Sequence, residues 1–82
     1  MSNNEYSRVK IFFNGDVQSI KEFVNRASKY NNIEVSKGRY TVNAASLMGL
    51  FSLDLTEPVI MNYPKEIETD VFLDFGGYII KE

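Results

Sequence analysis

The stretch from Val42 to Leu55 constrains the fold most, because it combines a clear helix start with more apolar residues than one short helix can bury. It reads V-N-A-A-S-L-M-G-L-F-S-L-D-L. Asn43 is a favourable N-cap, since its side-chain oxygen can accept a hydrogen bond from the otherwise unpaired amide of Ala45 or Ser46. The stretch therefore predicts a helix that has Ser46 in its first turn.

The apolar residues of this predicted helix fall on two faces. Leu47 and Leu50 lie on one stripe at helical spacing, whereas Met48 and Phe51 project about 100° away, toward solvent. Monomers seldom keep such a cluster exposed without using it. We therefore expect a protein-docking surface formed by Leu47, Met48 and Phe51 and extended by Ile20 of an earlier helix. The alternative is that these side chains belong to the core.

Composition limits the class of protein. The chain has 82 residues, with nine basic and eleven acidic side chains and no histidine, cysteine or tryptophan. A chain of this size buries only about 60–65% of its unfolded surface, which suits one small domain over residues 1–82 with a polar tail at 1–5. The absence of cysteine excludes disulfides and thiolate metal sites. We expect no cofactor.

Charge and hydropathy limit the partners. The net charge of −2 gives no electrostatic signal for nucleic acid. No segment has the pattern of a signal peptide or a membrane span, so a cytoplasmic protein without membrane insertion is expected. We find no metal-ligand cluster, no nucleophile paired with a base and no phosphate-binding glycine loop, and we therefore expect a protein that is not an enzyme.

Hydrophobic periodicity predicts an α+β chain. Two-residue alternation and turn residues predict strands, and apolar residues at 3.6-residue spacing predict a first helix that Asp16 caps. The predicted strands are Tyr6–Phe13, Ile33–Ser36, Arg39–Val42 and Val59–Tyr63, and the first helix runs from Asp16 to about Tyr30. A hairpin turn is expected at Lys37-Gly38.

The segment from Ile67 to Glu82 leaves two alternatives. Ile67, Val71, Phe75 and Ile79 recur every four residues, which favours a helix. The pair Gly76-Gly77 opposes it, because two interior glycines cost about 2 kcal/mol relative to alanine and could instead form the turn of a hairpin. We favour the helix.

The stretch from Val42 to Leu53 resembles the segment V-N-x-K-S-I-M-G-x-M-S-L of HPr, the phosphocarrier of the bacterial sugar phosphotransferase system. Leu47 and Phe51 are conservative changes, and Ala45 replaces a usual lysine. The identical positions are Val42, Asn43, Ser46, Met48, Gly49, Ser52 and Leu53. The resemblance implies an open-faced sandwich of order β-α-β-β-α-β-α, with a four-stranded antiparallel sheet and three helices on one face.

The resemblance also implies roles for residues of the central stretch. In HPr-like proteins the serine that matches Ser46 is a regulatory phosphorylation site. The apolar residues that follow form the surface on which enzyme I, the serine kinase and transcriptional regulators dock. A purely structural role for Ser46, bonded to nearby backbone, is the alternative.

The phosphate-accepting site of the family is missing. The family motif G-I-H-A-R-P is matched here by N-G-D-V-Q-S, so that Asp16 takes the histidine position, Gln18 the arginine and Ser19 the proline. Without histidine, phosphohistidine chemistry is impossible. Acyl phosphate at Asp16 is disfavoured, because no other acidic residue lies within five positions to help bind a divalent ion.

These expectations define an HPr-like regulatory or interaction protein that acts through protein contacts, with Ser46 as its control point. Its expected partners are an HPr-type serine kinase, a transcriptional regulator or phosphotransferase components. One alternative is a degenerate phosphotransferase component that binds enzyme I or a permease without passing phosphate. Another is a constitutive interaction module without a switch, and a homodimer is one version of this alternative.

Overall fold

The computed structural model describes residues 5–80, so most of the predicted tail at 1–5 and the last two residues lie outside it. Two short 3-10 turns lie at Lys65–Ile67 and Gly76–Tyr78. The strands are β1 (Tyr6–Ile11), β2 (Glu34–Lys37), β3 (Tyr40–Asn43) and β4 (Val59–Pro64), and the helices are α1 (Val17–Ala27), α2 (Leu47–Phe51) and α3 (Glu68–Phe75).

The four strands form one antiparallel sheet in the order β1-β4-β2-β3. Met61 lies opposite both Val9 and Val35, and Val35 lies opposite Val42 in turn, which places these four apolar side chains on one face. Residues one position away point to the other face. That face carries polar residues such as Arg8 and Asn62 and stays open.

The helices cover the apolar face of the sheet. Their buried residues join the strand residues in a single hydrophobic cluster. The helical members are Ile20, Phe23 and Ala27 of α1, Leu50 of α2, and Val71 and Phe75 of α3. The prediction of an α+β chain with a four-stranded antiparallel sheet and three helices is confirmed.

The C-terminal segment is helical as far as Phe75, so the hairpin alternative is wrong. The two glycines follow in a 3-10 turn, which ends the helix earlier than the four-residue repeat predicts. Ile79 then forms a β-bridge with Ile11, while the Phe12 amide donates to the Tyr78 carbonyl (3.0 Å) and the Ile80 amide to the Lys10 carbonyl (2.9 Å). The last described residues therefore cover the C-terminal end of the outer edge of β1.

Candidate functional site

Ser46 is the N-cap of α2 and does not lie in its first turn. Its Oγ accepts a hydrogen bond from the Gly49 amide (3.0 Å), and its carbonyl accepts from the Leu50 amide (3.0 Å). The predicted cap, Asn43, bonds instead to the Ala45 amide (2.7 Å), and this closes a turn ahead of the helix. Both residue types favour caps. The helix begins after Ser46 because the fully buried Ala44 still donates its amide to the Ile33 carbonyl (3.0 Å), so the chain is paired alongside β2 where the predicted helix would begin.

Gly49 is held close to the cap and to β3. A Cβ at this position would lie 3.0 Å from Ser46 Oγ and 3.1 Å from Val42 Cβ. Only glycine therefore lets α2 approach both groups without displacement. This tight fit fixes the Ser46 side chain at the junction between β3 and α2.

The apolar residues of α2 divide between core and solvent as their spacing predicts. Leu50 is fully buried and Leu47 is half-buried against the core. Met48 is 85% exposed and Phe51 is 47% exposed. We call Met48 and Phe51, with the half-buried Leu47, the α2 surface.

The expected contribution of Ile20 to this surface is wrong. Ile20 is only 1% exposed and belongs to the core. The physical reason is that α1 presents Ile20, Phe23 and Ala27 to the sheet, at spacings of three and four residues. Val17, at the start of α1, lies off this stripe and is 51% exposed.

Asp16 serves as the N-cap of α1. Its Oδ2 accepts hydrogen bonds from the Ser19 amide (3.1 Å) and the Ser19 hydroxyl (2.6 Å). The preceding residues, Asn14 and Gly15, have positive φ angles of 54° and 67°, and the Gly15 amide donates to the Leu55 carbonyl (3.0 Å). The turn that carries Asp16 therefore packs against the segment after α2 rather than against its start.

Metal-dependent chemistry has no visible support at Asp16. Among the residues that the structure describes, no group of three or more acidic side chains is placed to hold a metal ion. The cap interaction accounts for the position and hydrogen bonds of Asp16.

A polar cluster that joins α1 and α3 was not found from the sequence. Asp74 accepts a short hydrogen bond from the Tyr30 hydroxyl and forms an ion pair with Lys29 (3.1 Å), and its carbonyl accepts from Arg26 (3.2 Å). The hydrogen bond from Tyr30 and the ammonium of Lys29 lower the pKa of Asp74, and the same bond raises the pKa of Tyr30 to about 12. Basic residues at the end of α1 were the only sequence signal for this contact.

A groove of about 570 Å³ beside the β2–β3 turn was also missed. Lys37, Arg39 and Tyr40 form one wall, and Leu53 and Asp54 form the other. The two walls are far apart in sequence, and this is why hydrophobic periodicity gave no sign of them.

Comparisons with protein family models, with characterised proteins and with solved structures identify no match to this chain. Within the described residues, no helix is long and apolar enough to cross a membrane.

Proposed function

We propose that this chain is an HPr-like regulatory protein of the bacterial cytoplasm that works through protein contacts, without catalysis and without carrying phosphate on histidine. The observation that carries the proposal is the arrangement around α2, where an 85% exposed methionine lies two residues after a half-buried serine cap. The β-α-β-β-α-β-α element order agrees with the family. The motif from Val42 to Leu53 supplies the link to it.

The geometry of Ser46 is compatible with phosphorylation. Its Oγ uses a lone pair to accept from Gly49, whereas phosphorylation replaces the hydroxyl proton. The cap bond can therefore persist after modification. The phosphate would add between about 1.5 and 2 negative charges beside the first amides of α2, next to the exposed Met48.

Ser46 also differs from the other serines in how its hydroxyl is used. The hydroxyl protons of Ser19, Ser28 and Ser52 are donated to nearby oxygens, at 2.6, 2.7 and 2.5 Å respectively. Ser36 accepts from Asn62 within the sheet (3.1 Å). The Ser46 hydroxyl donates to none of the described residues, and it lies at a helix start, where a kinase gains access to a turn rather than to a strand.

The test is treatment with a bacterial HPr serine kinase and ATP, followed by intact-mass measurement and peptide mapping. We expect a single phosphate at Ser46 in preference to Ser19, Ser28, Ser36 or Ser52. Ser46→Ala should abolish the mass shift, and the matched variant Ser52→Ala should retain it. Modification at another serine with Ser46 untouched would defeat the regulatory proposal.

A further inference from the structure

The two edge strands of the sheet, β1 and β3, differ in whether other residues pair with their outer sides. The outer edge of β1 is occupied by residues 78–80 through the hydrogen bonds of Phe12 and Ile80. β3 lies at the opposite end of the strand order and pairs only with β2 among the described strands. The described residues therefore cover the β1 edge at its C-terminal end, whereas no described strand pairs with the outer edge of β3.

The backbone of Thr41 faces outward from this open edge. Lys37 and Tyr40 flank a two-residue turn, so they form a hydrogen-bonded pair, and the alternation makes Val35 and Val42 the next one. Thr41 lies between these pairs and points its amide and carbonyl away from β2. The same alternation turns Asn43 outward, in agreement with the bond that its carbonyl accepts from the Ser46 amide (3.0 Å).

β3 has only four residues, and shortness is one of the ways in which edge strands are protected. The other common protections are charges, prolines and bulges. β3 has the sequence Y-T-V-N, without a charge or a proline, and its register with β2 is unbroken over all four residues. Tyrosine, threonine and valine are residues that favour strands.

The groove at the turn end of β3 supplies chemical selectivity. Tyr40 is 68% exposed, and Arg39 has no ion pair or hydrogen bond with any described residue. The other charges around the groove are engaged: Lys37 pairs with Glu57 (2.8 Å), and Asp54 accepts two hydrogen bonds from Thr56. Asp54 keeps its negative charge, whereas the guanidinium of Arg39 is the cation of this groove that has no ion-pair partner among the described residues. A guanidinium in this position suits a carboxylate.

From this juxtaposition of an open strand edge, a free guanidinium and an exposed phenol ring, we infer that β3 binds an extended acidic peptide segment of a partner protein. The segment adds to the sheet through the backbone of Thr41 and places a carboxylate against Arg39, with an adjacent apolar side chain on Tyr40. This site is separate from Ser46 and the α2 surface. The inference does not depend on the proposed function, and its test can fail or succeed whatever the role of Ser46.

The test uses a phage-displayed library of random 12-residue peptides, selected on the full chain and counter-selected on the Thr41→Pro variant. Because the Thr41 amide points away from β2, proline removes the outward donor and leaves the β2–β3 ladder intact. We expect enriched peptides that carry acidic residues. A synthetic copy should shift the amide NMR signals of Tyr40, Thr41 and Asn43.

Matched variants separate the contributions. Arg39→Gln should weaken a selected peptide about tenfold or more, as should replacement of the peptide carboxylate by its amide. Thr41→Ala, which keeps the amide, should bind normally. N-methylation of alternate peptide nitrogens should abolish binding in one register only. Because this experiment alters the peptide and not the protein, it tests strand addition even if Thr41→Pro fails to fold.

The following four outcomes, and a fifth described after them, would overturn the inference. They are the absence of any enrichment, equal binding by the Thr41→Pro chain and the original, indifference to Arg39→Gln, and a concentration-dependent dimer that Thr41→Pro dissociates. The last would assign the edge to a second copy of the chain. Peptides that are lost with Met48→Asp but not with Thr41→Pro would bind at the α2 surface and also count against it.

Discussion

Gly49 shows how a single residue sets the geometry of the candidate site. Its position against Ser46 Oγ and Val42 Cβ requires that no side chain intervene. Sequence pattern does not predict this role for Gly49, because helix propensity alone counts glycine as unfavourable. The packing around α2 therefore explains a residue that local propensity would reject.

Gly49→Ala should lower the free energy of unfolding by about 1 kcal/mol. Overpacking costs about 1–3 kcal/mol, which outweighs the gain of about 1 kcal/mol in helix propensity. Urea unfolding monitored by circular dichroism measures the change. The matched control is Gly76→Ala, where an added Cβ meets nothing within 4 Å and φ is −56°. That variant should be neutral or more stable, and a loss equal to that of Gly49→Ala would refute the steric explanation.

Tyr63 predicts a dependence of stability on alkaline pH. Its side chain is fully buried and its hydroxyl donates to Glu68 Oε2 (2.8 Å). Burial and, after it, this bond raise the pKa of Tyr63 from 10.0 to about 12. Between these values the folded chain keeps a proton that the unfolded chain has lost, so the free energy of unfolding falls as pH rises from about 10 to 12.

Urea unfolding at pH 9, 10 and 11 measures this decline. Tyr63→Phe should give a shallower decline over the same interval, because phenylalanine has no proton to lose. An unchanged slope in the variant would show that other groups control the alkaline response. Tyr30, whose pKa is also raised to about 12, then becomes the next candidate.

At the scale of elements, periodicity predicted the number and type of elements better than their ends. The four strands and three helices lie where alternation and 3.6-residue spacing placed them. The observed ends of these elements differ from the predicted ends where tertiary contacts determine how far a strand or helix extends. β1 ends at Ile11 because Phe12 bonds to Tyr78 and Phe13 packs on Phe23, with ring centroids 5.0 Å apart. None of these partners is adjacent in sequence, so no local pattern could reveal them.

The same limit applies to the candidate site. The exposure of Met48 and Phe51 followed from helical spacing within one short element. The burial of Ile20 depends on how α1 packs on the sheet, which spacing alone does not determine. The choice of Ser46 over Asn43 as cap depended on the bond between the Ala44 amide and the Ile33 carbonyl, a partner that is distant in sequence.

Met48→Asp should test the α2 surface with little effect on stability. Because Met48 is 85% exposed, we expect a change of less than about 0.5 kcal/mol, together with loss of partner binding in a pull-down or loss of dimerisation. Leu50→Ala on the buried side of α2 is the contrast, with an expected loss of about 2–5 kcal/mol. A loss of about 2 kcal/mol or more for Met48→Asp would mean that this side chain is buried and that the binding surface lies elsewhere.

At the scale of the whole molecule, the chain contains no histidine, so the proposed HPr-like protein cannot carry a phosphoryl group on an imidazole. Incubation with enzyme I and phosphoenolpyruvate should leave the chain unlabelled, because no imidazole is present to accept the phosphoryl group. Radiolabelled phosphoenolpyruvate measures phosphoryl transfer to the chain, and a histidine-containing HPr serves as the positive control. Stoichiometric acid-labile label on this chain would contradict the prediction, and stable label at Asp16 would revive the acyl-phosphate alternative.

The closure of β1 by residues 78–80 has a consequence for synthesis on the ribosome. β1 is synthesised before all the other described strands and helices, and therefore well before residues 78–80, which bond to its outer edge. Until residue 80 has emerged, the growing chain exposes the unpaired backbone at this end of β1, and such edges invite pairing with other chains. Chains that stall before residue 80 should therefore aggregate or recruit chaperones more readily than chains that extend past it.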